Sequence, residues 1–335
     1  MSNPVLVEAT RGPLVESRHR GAVAVVDIAG TVVQARGDVE HPIFPRSAVK
    51  ALQALVLVEA GAADRFGLGD EELAIACASH GGEPGHVATV TRMLARAGLD
   101  AGALECGAHW PIRQASAQEL ARGGGTATSL HNNCSGKHAG FLCAACAMDT
   151  PYRGYVAPTH PVQRAVHAVL ESMTGAPIGD DRRATDNCAV PTWAISLAGL
   201  ARAFACFGTG HGLAPARAKA AERLRAACAA KPWHVAGTGR FCTELMQRFG
   251  PRVFAKTGAE GVFCGALPER GLGIAIKCDD GSARAAEVVM ATTVARFLST
   301  DDAERSFIES FVRPSLRNWN GNVVGGLGPT DILAR

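Results

Sequence analysis

At 335 residues the chain is long enough to bury a sizeable core. Its composition, 47% hydrophobic and 19% charged, is that of a folded globular protein rather than a disordered, collagenous or coiled-coil one. A formal charge of +3, with no basic stripe interleaved with aromatics, gives no case for a nucleic-acid partner. No stretch approaches the ~18 uninterrupted apolar residues of a membrane span, and the first ten residues lack a basic stretch followed by an apolar run. The expectation is a soluble cytoplasmic protein, whose eleven cysteines are then thiols, metal ligands or catalytic groups rather than structural disulfides.

In chain order, residues 4–36 read as short β-branched strands, interrupted at Gly12-Pro13, Arg20-Gly21 and Ala29-Gly30 and spaced for antiparallel hairpins. The period then changes: Ala48, Leu52, Leu55, Val56 and Val58 suit one largely buried helix over 47–60, ended by Gly61. Leu73 to Ala76 reads as a strand-like run. Helices are predicted near 85–97, 137–147, 161–173, 191–205, 214–230 and 239–248. Strands follow at Arg252 to Ala255, Gly261 to Ala266 and Gly273 to Cys278, then helices at 283–298 and 302–312. The glycine-rich tail from Asn318 to Pro329 reads as loop. Strands, many helices, strands and helix in that order are not the alternation of a parallel sheet. They predict an α+β fold in which N- and C-terminal strands share one antiparallel sheet flanked by helices. The predicted organisation is a single compact domain over 1–335 with a helical insertion of roughly 80–250.

Four groups of residues carry chemistry. Ser47 and Lys50, three apart, share a helix face, so the lysine amine can lie over the hydroxyl and serve as its base. The alternative is a capping serine followed by a surface lysine. Lys256-Thr257-Gly258 follows a strand, and Ser-x-x-Lys with a later Lys-Thr-Gly is the pairing of penicillin-binding proteins and serine β-lactamases. Their Ser-Asp-Asn element is absent; the nearest string is Thr185-Asp186-Asn187. In Ser79-His80-Gly81-Gly82 the glycines let backbone approach a ligand and could offer N–H groups to an oxyanion. Ser79 is thus a second candidate nucleophile with Lys256 as its possible base, or else part of a capping turn. Finally, Cys134 and Cys188 are thiols in polar runs that a soft divalent metal such as zinc would accept. Chemistry alone nominates His138 as third ligand over Lys137, whose ammonium must first lose a proton. Cys143-Ala144-Ala145-Cys146 has metal spacing but lies in an apolar helix without a partner pair and reads as core.

Taken together, Phe44-Pro45-Arg46-Ser47-Ala48-Val49-Lys50, Ala78-Ser79-His80-Gly81-Gly82, Asn132-Asn133-Cys134-Ser135-Gly136-Lys137-His138, Thr185-Asp186-Asn187-Cys188, Gly237-Thr238-Gly239-Arg240-Phe241-Cys242 and Ala255-Lys256-Thr257-Gly258-Ala259-Glu260-Gly261 stand in order over nearly the whole chain. The chain resembles the rhizobial-type L-asparaginases of the asparaginase II family. The resemblance implies a serine-β-lactamase-like fold, a homodimer, and hydrolysis of L-asparagine by two Ser–Lys pairs, Ser47 with Lys50 and Ser79 with Lys256. It implies zinc on Cys134, Lys137 and Cys188, replacing His138 as ligand, with the metal tuning activity rather than performing the chemistry. It places Arg46 and Asp186 on substrate polar groups and Cys242 near the pocket, and His138 is grouped with these substrate-binding residues. Two other readings compete: a penicillin-binding-type acyl-hydrolase, and a non-catalytic amino-acid or metal sensor.

Overall fold

The strand-forming runs at the two ends of the chain do pair with each other. A computed structural model, which describes residues 2–334, contains an eight-stranded antiparallel sheet. Its order is Ser315–Arg317, Val323–Pro329, Val5–Arg11, Leu14–Asp27, Leu272–Cys278, Val262–Leu267 and Phe254–Thr257, with Val32–Arg36 added on Leu14–Asp27. The register sets Val7 opposite Pro329 and Ile274 opposite Val25, so the predicted α+β class holds. Strands Val262–Leu267 and Leu272–Ile276 are buried on both faces, as their nearly continuous apolar sequence requires.

Two expectations here are corrected by glycine packing. The strand predicted to break at Arg20-Gly21 runs unbroken from Leu14 to Asp27, pairing first with Val5–Arg11 and then with Leu272–Cys278. A Cβ on Gly21 would lie 2.3 Å from the Lys277 carbonyl oxygen, so the glycine marks a close strand approach, not a turn. Likewise the tail read as loop contains the strand Val323–Pro329, where a Cβ on Gly325 would sit 1.9 Å from the Thr10 oxygen. The helix predicted over 191–205 starts later. Pro191–Trp193 and Ile195–Ser196 are extended, and the helix Leu197–Thr209 opens at Ser196, whose Oγ accepts the Gly199 N–H at 3.1 Å.

The chain forms two compact units. The sheet unit takes the described residues up to Ala48, Ala194–His211 and those from Ala255 on; the other takes Val49–Trp193 and Gly212–Phe254. At the centre of the second unit the helix Ser135–Ala147 is buried from Ser135 through Ala145, with the polar Ser135, Lys137 and His138 of its first turn buried among apolar residues. Gly136 brings it against Asp70–Ala76, since a Cβ there would lie 2.2 Å from the Ile75 oxygen. Asp70–Ala76 contains the run predicted as strand. Acidic Asp70, Glu71 and Glu72 fill its first turn and Glu72 Oε2 accepts the Gly69 N–H at 3.0 Å, so end chemistry decides what a short apolar run leaves ambiguous. The single helix predicted over 47–60 is a 3₁₀ turn Arg46–Val49 followed by Lys50–Gln53 and Leu55–Glu59. Among the described residues no helix is long and apolar enough to cross a membrane.

Candidate active site

In the helical unit, Lys50 is 1% exposed and its Nζ meets three acceptors. Nζ donates to the Ala78 oxygen at 2.6 Å, Ser79 Oγ at 3.1 Å and the Asn133 oxygen at 3.3 Å. The lysine predicted as base for Ser47 is thus found on Ser79.

The Ser79 loop is held from several sides. Its N–H donates to the Val235 oxygen at 3.0 Å. His80, fully buried, accepts the Gly82 N–H on Nδ1 at 3.2 Å, leaving Nε2–H to donate to Ser135 Oγ at 2.9 Å; Ser135 in turn donates to the Leu130 oxygen at 2.9 Å. Burial, with His86 and Lys50 nearby, pushes the His80 imidazole well below its ordinary pKa and keeps it neutral. Of the two glycine N–H groups expected to face an oxyanion, that of Gly82 is therefore spent on His80. Glu83 accepts the Thr238 N–H at 2.9 Å and the Thr238 hydroxyl at 2.8 Å, fastening the Gly237-Thr238 segment to the same loop. Gly237, at φ +110°, leaves no room for a side chain: its Cβ would lie 2.7 Å from Glu83 Oε1. His80–Ser135 and Glu83–Thr238 escaped the sequence reading, because partners 55 and 155 residues apart leave no local spacing signal. Cys242 follows this segment, buried in the helix Phe241–Phe249.

The predicted metal residues converge in the same unit. Lys137 Nζ donates to Cys188 Sγ at 3.1 Å, and Cys134 Sγ bonds Asn133 Oδ1 at 3.2 Å. The hydrogen bond from Cys188, then the Lys50 and Lys137 charges, hold the Cys134 thiol well below its ordinary pKa; Cys188, hydrogen-bonded to Cys134 and buried, is pushed up. Of the two, Cys134 is the thiol that gives up its proton first. Against burial, the two sulfurs raise the Lys137 pKa and keep it an ammonium. Asp186 sits in the turn before Cys188, its N–H donating to the Val190 oxygen at 2.9 Å. His138, predicted first as ligand and then as substrate-binding, is fully buried. Tyr155 OH accepts the Glu105 N–H at 2.9 Å and so donates to His138 Nδ1 at 2.6 Å, which leaves the proton on Nε2, without a partner among the described residues.

Among the described residues no three His, Cys, Asp or Glu side chains group as metal ligands. The donor set the resemblance implies is instead two sulfurs, that of Cys134 the more readily deprotonated, and an amine already touching the other sulfur. Such donors suit zinc once Lys137 yields its proton.

In the sheet unit, Arg46 adopts φ +52°, a left-handed conformation uncommon for a residue with a side chain and a mark of local strain just before Ser47. Lys256 is 1% exposed on its strand, its Nζ donating to the Thr257 oxygen at 2.7 Å. Gly258 brings the Lys-Thr-Gly string against the turn that holds Ser47: a Cβ there would lie 2.8 Å from the Pro45 oxygen and 3.2 Å from the Ala48 nitrogen. Gly258→Ala is accordingly expected to destabilise the protein by about 1–3 kcal/mol, read from the shift in its denaturation midpoint.

A family model described as L-asparaginase II matches residues 7–329. No curated protein matches the chain. Among solved structures, Mglu in its native form in the presence of 4.3 M NaCl is similar at 16% identity over 84% of this chain and 63% of that one, with a TM-score of 0.44. A β-lactamase from Mycobacterium bovis is similar at 16% identity over 79% of this chain and 89% of that one, with a TM-score of 0.37. The chain thus spans just under two thirds of the Mglu chain.

Proposed function

The chain belongs to the L-asparaginase II family, and from that premise we propose that it hydrolyses the side-chain amide of L-asparagine to L-aspartate and ammonia by acyl transfer through a serine. The observation that carries the reading is the buried Lys50 amine held on the Ser79 hydroxyl inside a glycine-rich loop. A serine hydroxyl becomes a competent nucleophile when a positioned base takes its proton.

In the proposed sequence Lys50 enters as the free amine. Ser47 Oγ forms a bond to the amide carbon and its proton passes to Lys50 Nζ by way of the Ser79 hydroxyl, on which that amine is held. The carbon–nitrogen bond then breaks, that proton leaving with ammonia. Water cleaves the resulting ester, returning the serine and releasing aspartate. Ser79 and Lys256 polarise the carbonyl and help draw the proton from water. An ionised Asp186 suits the substrate's α-ammonium and Arg46 its carboxylate, while His138 and Cys242 complete the substrate's surroundings. Zinc on Cys134, Lys137 and Cys188 would supply fixed positive charge and tune activity. A homodimer and a cytoplasmic location belong to the same proposal.

The test is ammonia release from L-asparagine, with L-glutamine as control, in wild type, Ser47→Ala and Ser79→Ala. Release abolished by Ser47→Ala supports the scheme. Acyl label trapped on Ser79 alone would move the nucleophile there, and no release from either amide would refute the function. Protein purified without chelator is expected to carry about one zinc per chain by elemental analysis and Cys134→Ser almost none. Acid should release the metal, because protons compete for sulfur; full activity without zinc would remove the metal and spare the hydrolysis.

A further inference from the structure

A cavity of about 470 Å³ lies in the helical unit among Thr159, Arg164, His167, Asp180, Arg183 and Trp193. The proposed chemistry uses none of these residues, and the volume is in the range of small-molecule sites. Its lining is rich in donors. The Arg164 guanidinium has no hydrogen-bond or ionic partner among the described residues. Arg183 spends its guanidinium on Asp180 at 3.1 Å, a carboxylate whose side chain is 82% exposed, so the pair is a weak surface contact that a better acceptor can replace. Trp193 is 3% exposed, yet its indole N–H makes no hydrogen bond among the described residues. His167 stacks on that indole, ring centroids 5.0 Å apart, and is fixed by its Nε2–H on the Ile178 oxygen at 2.8 Å. The Trp193 indole nitrogen keeps some solvent access, so its N–H is available to a ligand in the cavity. Two guanidinium groups and an N–H around a cavity with one carboxylate call for a ligand made of acceptors carrying negative charge.

The cavity also touches the hairpin that carries two of the proposed active-site residues. Arg183 and Trp193 face each other across the first rung between Arg183–Thr185 and Pro191–Trp193. Thr185 and Pro191 form the last rung, and the turn beyond it holds Asp186 and Cys188. We propose that this cavity binds a small oxyanion, a dicarboxylate or a phosphate, held by Arg164, Arg183 and the Trp193 indole, and that its occupancy steadies the Asp186–Cys188 turn through the Arg183–Trp193 rung. The proposal needs no substrate turnover and goes beyond the hydrolytic reading.

Calorimetric titration of the whole chain with succinate and with inorganic phosphate, in chloride of matched ionic strength, tests it. Saturable binding of one or both is expected; the anion that saturates at lower concentration identifies the carboxylate or phosphate source. Arg164→Ala, Arg183→Ala and Trp193→Phe, the last keeping an aromatic ring beside His167 but losing the N–H, should each weaken binding about 10-fold. Asp180→Asn, which removes the competing carboxylate, should tighten it. Hydrogen exchange across residues 183–193 should slow when the anion is bound. No saturable binding of either anion, binding unchanged in all three weakened variants, or binding without slowed hairpin exchange would each overturn the proposal. An inactive protein that binds as described would retire the hydrolytic reading and leave this one standing.

Discussion

Replacing Lys50 by methionine is expected to lower kcat/KM for ammonia release from L-asparagine by about 10³-fold or more, the scale of losing a positioned base together with the polarisation it gives a neighbouring hydroxyl. Methionine keeps the length of the stem and removes every donor. It therefore also strands the buried Ala78 oxygen that Lys50 satisfies, at about 1–3 kcal/mol, and the part-buried Asn133 oxygen at less. Part of the lost rate could thus come from a loosened loop. Lys50→Arg separates the two effects: a guanidinium still donates to carbonyls but does not give up its proton at working pH, so it preserves much of the hydrogen bonding and removes the base. A folded, inactive Lys50→Arg protein is the expected result, measured by coupled ammonia assay alongside urea denaturation. An arginine variant near the wild-type rate would end the base assignment.

Stability to urea is expected to fall steeply as pH drops below about 6.5. His80 and His138 are pushed well below the ordinary imidazole range, first by burial and then by nearby positive charge; His86, packed 3.8 Å from the Trp233 ring and donating to its carbonyl, is lowered mainly by burial to about 4. All three have folded pKa values below the unfolded one. The stability each neutral ring confers is therefore fully present above pH 6.5 and is lost as pH falls toward the folded pKa, because the unfolded chain takes up protons that the folded one refuses. Each contributes about 1.4 kcal/mol per pH unit in that window, and three together about 4 kcal/mol per unit. Cys134, also depressed, acts with the same sign wherever its folded pKa falls in the range measured. Unfolding free energies at pH 8, 6 and 5 check this. A flat profile between pH 7 and 5 would show the three rings protonating without hindrance in the folded state.

What was readable in advance follows from range. Val23 to Val26 and Ile274 to Ile276 carry strand propensity in their own side chains, and their apolar faces leave few places but one sheet. Ser47-x-x-Lys50 and Lys256-Thr257-Gly258 were visible as strings. What no string shows is that Lys50 reaches Ser79, a contact across 29 residues that exists only once the chain between them has folded. Glycine misled twice for one reason: Gly21 and Gly325 look like turns in a sequence and are strand contacts too tight for a methyl group. At Leu73 to Ala76 four apolar residues fit either period, and the capping residues before them decided. His138 could be nominated by its chemistry, but its orientation depends on Tyr155, 17 residues away.

The pairing of the first strand with the last sets a condition on synthesis. Thr10 and Gly326 are joined across 316 residues, so at ribosomal rates of 5–20 residues per second roughly 15–60 s pass between the emergence of one and of the other. For that interval Val5–Arg11 has a hairpin neighbour, Leu14–Asp27, on one side and an unpaired backbone edge on the other. An open edge beside an apolar strand is a template for pairing with another nascent chain. The yield of folded protein should therefore depend on elongation rate and on chaperones that cover this edge until Val323–Pro329 arrives to close it.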